Sequence, residues 1–344
     1  MNAESRNFKL GDVTLYDCGG HRLSSRSVSW NSSGSYLGVA SSDRNARLYT
    51  LNESGPREVL VVSQHTAPVQ RVRFHPNQET LMCTAASDST VRLFDVRSAT
   101  QKNLGRIDIR GASAADIAWC PAPFSPLLAI TESNGSIHIC DTRKISQNAP
   151  ASTTTRPGQK VSNSATVHSF SLDPKLVEAC IFSPASSHLV AAATSNGMGE
   201  LSIWDWANGK PAEKTTFPAH TGPIYSLAFA PDGKWLATGG SDALVGVWDT
   251  ESVCCTHTIT RNTKFTRSVA FSYDSRFLAS STEEDGIDLA LASTGTLVGK
   301  VNLGRNKSGG ADEIAFHPRH HILACARCNS PVAVTIAKLS ITNQ

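Results

Sequence analysis

No apolar run in this chain approaches the roughly 18 residues that a membrane-spanning helix needs, so no span is expected. Residues 1–10 lack an apolar core of the secretory type, so no export signal is expected either. Charge of one sign is not in surplus: 32 Lys and Arg against 29 Asp and Glu leave a net charge of only +3. That balance does not mark a nucleic-acid binder, which would need a concentrated basic face. No glycine-rich phosphate loop of the P-loop or dinucleotide type occurs. The nine cysteines are odd in number and scattered, which predicts reduced, mostly buried thiols in the cytosol or nucleus. Cys325 and Cys328 form a lone C-x-x-C. A structural zinc wants four ligands, and Cys254-Cys255 does not supply the second spaced pair, so no metal and no cofactor are expected. Aromatics are scarce at 7% of residues, yet seven of them are placed with a rhythm.

Those seven are Trp30, Phe74, Trp119, Phe182, Phe229, Phe271 and Phe316, separated by 44, 45, 63, 47, 42 and 45 residues. Each ends a short apolar strand. A turn, a second strand, an acidic tight turn and a third strand follow. A period in the low forties built from strands alone predicts an all-β fold, a single seven-bladed β-propeller. The blades cannot bury their faces singly, so the 344 residues read as one closed domain over 12–340 with a tail at 1–11. Such a body is first of all a platform for binding.

The fifth unit is the clearest. His220 precedes the apolar run 224–229; Pro231-Asp232-Gly233 then makes a hairpin, with proline presetting φ and glycine supplying positive φ. Strand 235–240, Ser241-Asp242 and a strand ending Trp248-Asp249 complete it. These residues resemble the WD-repeat family of β-propellers, and the resemblance extends over nearly the whole chain. It implies a buried hydrogen-bonded tetrad of His220, Thr238, Asp242 and Trp248, repeated in the second unit as His65, Thr84, Asp88 and Phe94. The first unit offers His21, Asp43 and Tyr49. Elsewhere the pattern departs: Asn134, Asn329 and Glu284 stand where the turn Asp belongs, Ala290 replaces a Trp, and Arg110-Gly111 replaces the initial His.

The resemblance also implies closure by an N-terminal strand. Residues 12–17 alternate like a strand and are expected to pair with the third strand of the last blade near 332–336, which would remove a free sheet edge. The long gap holds a Ser-, Thr-, Asn- and Pro-rich stretch at about 146–169, expected to be a flexible insertion between blades 3 and 4.

Units five and six are more specific. The stretch Gly239-Gly240-Ser241-Asp242-Ala243-Leu244-Val245-Gly246-Val247-Trp248-Asp249, then Arg267-Ser268-Val269-Ala270-Phe271-Ser272-Tyr273-Asp274, resembles the WD-repeat subunits of THO-type complexes. Ile287-Asp288, read in place of a Trp-Asp, adds to this. The resemblance implies a nuclear, non-catalytic scaffold that holds other subunits of a THO-like multiprotein complex coupling transcription to mRNA processing and export. Indirect RNA contact is compatible with it, whether RNA touches the chain directly is left open, and neither a membrane nor a small-molecule substrate is implied.

On paper His220, Thr238 and Asp242 look like a hydrolase triad, but their recurrence from unit to unit favours structure. In WD-repeat propellers the position four residues before the strand-ending aromatic faces the top of the channel. Here those residues are Arg26, Gln70, Ala115, Glu178, Tyr225, Arg267 and Asp312. Arg26, Gln70, Tyr225 and Arg267 are the candidate partner-binding residues of this ring, whose mixed charge suits a peptide better than a phosphate track. An alternative function, substrate receptor of a cullin-type ubiquitin ligase, rests on Phe94-Asp95-Val96-Arg97 and Cys140-Asp141-Thr142-Arg143, which resemble a Trp-Asp-x-Arg box.

Overall fold

The computed structural model describes residues 8–97, 103–109, 113–121, 126–145, 165–172, 176–206, 211–283, 286–303, 310–327 and 333–343. These residues form seven four-stranded antiparallel sheets. The innermost strand of each sheet touches its counterpart in the next, and the last touches the first, so the ring is closed. We call the strands a to d from the channel outward. Blade 5, for example, runs a (Ile224–Phe229), b (Trp235–Gly240), c (Val245–Asp249) and d (Cys254–Ile259).

Burial follows from position in the blade. Strand b is covered on both faces by neighbouring blades, and in Leu37–Ser41, Leu127–Glu132, Phe277–Thr282 and Ile322–Ala326 every residue is buried. Such strands read as short continuous runs rather than as alternations. Outer strands alternate: Thr166–Ser171 in blade 3 switches between exposed and half-covered residues along its length. The core is correspondingly divided into clusters, each spanning two adjacent blades. Ala237, Val247, Phe271 and Leu278 join blades 5 and 6, for instance, and Leu93, Ile107, Trp119 and Leu128 join blades 2 and 3.

Closure is by the N-terminal strand, as expected. Phe8–Cys18 lies antiparallel to strand c of blade 7, Val334–Asn343, with Tyr16 opposite Ile336 and Cys18 opposite Val334. The strand starts earlier than residue 12 and is interrupted by a bulge between Leu10 and Val13. The repeat as written in sequence therefore straddles two blades: each unit begins with strand d of one blade and continues into a, b and c of the next.

Most of the 146–169 stretch lies outside the described residues. Its end does not: Thr166–Ser171 is strand d of blade 3, paired with Ser136–Asp141. Its polar, alternating composition is that of a solvent-facing outer strand, which is why it looks like loop in sequence. Arg110, Gly111, Glu284, Cys328 and Asn329 also lie outside the described residues.

Candidate functional site

In blade 5 the four tetrad side chains meet. His220 Nδ1 lies 2.9 and 3.0 Å from the two Asp242 carboxylate oxygens, His220 Nε2 lies 2.7 Å from Thr238 Oγ1, and Trp248 Nε1 donates to that hydroxyl at 3.0 Å. The carboxylate can only accept, which places the imidazole proton on Nδ1 and leaves Nε2 to accept from the threonine. Asp242 also accepts from the Thr221 and Leu244 amides at 3.1 and 3.2 Å. It thus ties the loop before strand a to the b–c turn. Thr238 has no exposed surface. A hydroxyl that no substrate can reach and that an indole N–H already occupies serves as a strut, not a nucleophile.

Blade 2 repeats the strut with His65 to Asp88 at 3.0 Å and to Thr84 at 2.7 Å, while Phe94 fills the tryptophan's place without a donor. We expect Asp242→Ala to cost about 1–3 kcal/mol, because it strands the His220 donor and two amides. Trp248→Phe should cost less, since blade 2 already stands with Phe94. Chemical denaturation of the two variants measures both.

Blade 1 differs. His21, Asp43 and Tyr49 do not join: Arg47 stands between, 2.7 Å from Asp43 and 3.2 Å from His21 Nδ1, and the Tyr49 hydroxyl donates to the Gly19 carbonyl at 2.5 Å. The reason is Val39, which occupies the register position of Thr238 and has no hydroxyl. His21 Nε2 is buried without a partner. Burial first, and the Arg47 charge second, push its pKa down to about 4. In blade 4 the register places Ala191 where Thr238 stands in blade 5, and the Trp204 indole N–H is buried without an acceptor. In blade 6 Ile287-Asp288 does not take the Trp-Asp place. Ala290 pairs with Leu278 as Trp248 pairs with Leu236, so Asp288 sits two residues earlier, where it binds Arg261 at 2.7 Å.

Burial likewise lowers the pKa of His65, His75, His257 and His317. A histidine whose folded-state pKa is depressed is protonated more readily when unfolded, so acid favours unfolding. Stability should be fullest above the ordinary histidine value of about 6.5 and fall as pH drops below it, each such group contributing up to ~1.4 kcal/mol per pH unit. Denaturant titrations at stepwise lower pH test this, and His21→Gln should flatten part of the slope.

The channel wall holds a second repeated device. In five blades the side chain three residues before the strand-ending aromatic accepts an amide from strand a of the next blade. Ser27 takes Val72 N–H at 3.2 Å, Asp116 takes Cys180 at 3.3 Å, Ser226 takes Val269 at 3.1 Å, Ser268 takes Ile314 at 3.1 Å, and Glu313 takes Val28 at 2.9 Å. Arg71 and Ala179 hold that position in blades 2 and 4 and cannot accept. Arg71 and Arg73 instead reach across: Arg73 bonds Glu313 at 2.7 Å and Asp116 at 3.3 Å, and Arg71 bonds Asp116 at 3.2 Å. Burial would raise the Glu313 pKa, but the Arg73 and Arg71 charges and the hydrogen bonds it accepts hold it below the usual carboxylate range.

Above this charged floor the channel opens into a cavity of about 880 Å³ at its top. Arg26, Gln70, Ala115, Glu178, Tyr225, Arg267 and Asp312 all line it. The Arg267 guanidinium lies 5.0 Å from the Tyr225 ring centre and 6.0 Å from that of Phe265, and it pairs with Glu283. Gln70 donates to Ser87 at 2.7 Å and Arg26 to Ser42 at 3.2 Å. Phe265 is 43% exposed, a large aromatic surface beside the mouth that counting back from the aromatics does not find. The two box arginines are solvent-facing, but each folds onto its own carboxylate: Arg97 onto Asp95 at 2.6 Å and Arg143 onto Asp141 at 2.7 Å. Among the described residues no group of His, Cys, Asp and Glu is arranged to hold a metal.

The model of the WD domain, G-beta repeat, matches residues 13–50, 56–95, 212–249 and 253–287. These four stretches are WD repeats. Each matched segment in this WD-repeat propeller begins in, or just before, an outer strand and runs into the following blade, the offset seen in the fold. Blades 3, 4 and 7 are left unmatched. Among curated relatives, THO complex subunit 3 of Arabidopsis thaliana is 26% identical over 309 residues, covering 89% of this chain and 87% of that protein. WD repeat-containing protein AAC3 of Dictyostelium discoideum is 23% identical over 79% of the chain, and target of rapamycin complex subunit LST8 of Bos taurus 26% over 62%. The chain spans only 57% and 60% of the length of those two.

Proposed function

We propose that this propeller is a non-catalytic interaction scaffold of a THO-like complex, acting in the nucleus where transcription is coupled to mRNA processing and export. The observation that carries the reading is the alignment with THO complex subunit 3, which runs almost end to end in both chains. It is supported by the mouth, where seven blades present one concave surface with an aromatic–guanidinium stack at its edge. Aromatic and arginine side chains of this kind are the usual anchors of protein interfaces. RNA contact would then be indirect, through the assembled partners.

Tyr225 and Arg267 are the central contacts in this reading, with Arg26 and Gln70 across the mouth. The double variant Tyr225→Ala/Arg267→Ala should lose at least about tenfold in partner affinity, since removing anchors of this type costs about 2 kcal/mol or more. Its melting temperature should stay near that of the parent, because neither side chain belongs to the blade cores. Recovery of the same partners in the same amounts by this variant would move the interface off the mouth.

A further inference from the structure

Blade 1 shares a turn-to-loop clamp with blades 2, 3 and 5 but arms it with arginines. Its a-strand entry loop and its b–c turn are clamped together: Ser42 N–H donates to the Ser24 carbonyl at 3.0 Å, the Ser24 and Ser42 hydroxyls meet at 3.1 Å, and Arg22 N–H donates to Asp43 at 3.4 Å. The clamp presents Arg22, Arg26 and Arg44 together, all exposed, with Leu23 at 56% exposure between the first two. Arg44 adopts φ of 70°, in the left-handed region, as Ser89 and Ala243 do after the turn aspartates of blades 2 and 5. Two carboxylates of blade 1 are turned to another arginine. Asp43 is occupied by the buried Arg47 at 2.7 Å, and Glu58 reaches the same Arg47 at 3.3 Å.

Across the mouth the chemistry changes. Tyr225 and Phe265 offer aromatic surface around Arg267, while Glu178 and Glu283 line the cavity on that side and Asp312 of blade 7 lies between it and blade 1. A ligand crossing from blade 1 to blades 5 and 6 therefore meets positive charge first, then apolar surface rimmed by carboxylates. A continuous phosphate backbone would be attracted at one end and repelled at the other. A peptide with carboxylates at one end and an apolar side chain at the other matches both halves.

We infer that the partner segment bound at the mouth is an acidic peptide whose carboxylates sit on Arg22, Arg26 and Arg44 and whose apolar anchor sits on Tyr225 and Phe265. This rests on the mouth being the partner face. The test uses the full chain and a fluorescently labelled peptide in which a run of glutamates precedes a glycine spacer and a phenylalanine. A version with lysines for the glutamates and an oligouridylate are run beside it. The acidic peptide should bind, its affinity should fall with rising salt, and Arg22→Glu/Arg26→Glu/Arg44→Glu should weaken it by about tenfold or more. Phe265→Ala should weaken the peptide with the phenylalanine and leave one without it unchanged. Equal binding of the lysine version, stronger binding of oligouridylate, or indifference to the charge reversal would each overturn the inference. If Tyr225→Ala/Arg267→Ala loses its partners while the charge-reversed chain keeps them, the acidic-peptide assignment fails and the face assignment stands. If neither variant loses them, both fail.

Discussion

A chain lacking residues 1–18 should not fold cooperatively. The closing strand Phe8–Cys18 supplies the outer edge of blade 7 and lays Phe8, Leu10, Val13, Leu15, Tyr16 and Cys18 against the clusters that join blade 7 to blades 6 and 1. Side chains of this size contribute about 1.5–3 kcal/mol each when fully buried, and all but Cys18 are only partly covered, so the strand accounts for roughly 5–9 kcal/mol. That is the size of a domain's whole net stability, about 5–15 kcal/mol. The deletion also bares an unpaired sheet edge, an invitation to aggregate. Loss of a sharp thermal transition, regained when a peptide of residues 8–18 is added, is the expected result. A truncated chain that melts within about 3 °C of the full one would mean that closure contributes little.

Glu313→Ala should have the next largest effect. One carboxylate there accepts the Val28 amide across the seam between blades 7 and 1 and binds Arg73 of blade 2. Removing it leaves a buried amide unpaired and a guanidinium half-compensated by Asp116. Breaking a dry pair from one side costs about 3–5 kcal/mol; this pair lines a channel, so about 2–4 kcal/mol is expected. Because the folded-state pKa of Glu313 is depressed, its contribution is present above the ordinary glutamate value of about 4.3 and is lost as pH falls through the lower folded value. The variant should therefore lose stability at neutral pH and converge on the parent in acid. Equal losses at both would assign the effect to packing.

How far these features were legible in sequence follows from what each depends on. The blade count rests on aromatics that end strand a and pack between blades, so their spacing carries it. The struts of blades 2 and 5 were legible because all their polar members are local, and the mouth because it is a fixed offset from each aromatic. Blade 1 misled because its partner set turns on an absence, the missing hydroxyl at Val39, which admits Arg47 between histidine and aspartate. The amide-accepting position three residues before the aromatic carried a visible signal in Ser27, Asp116, Ser226, Ser268 and Glu313. Its meaning needed the neighbouring blade, which no single repeat contains. Residues 166–169 read as loop because an outer strand needs only one covered face, and Ile287-Asp288 misleads because register within a strand cannot be counted from composition.

The most direct test of the scaffold account is affinity purification of the tagged full chain from nuclease-treated nuclear extract, with the recovered proteins identified by mass spectrometry. The account predicts that the large subunits of a THO-type complex are recovered and that nuclease does not release them. Recovery of a cullin-ligase adaptor without any such subunit, or loss of the subunits on nuclease treatment, would contradict it.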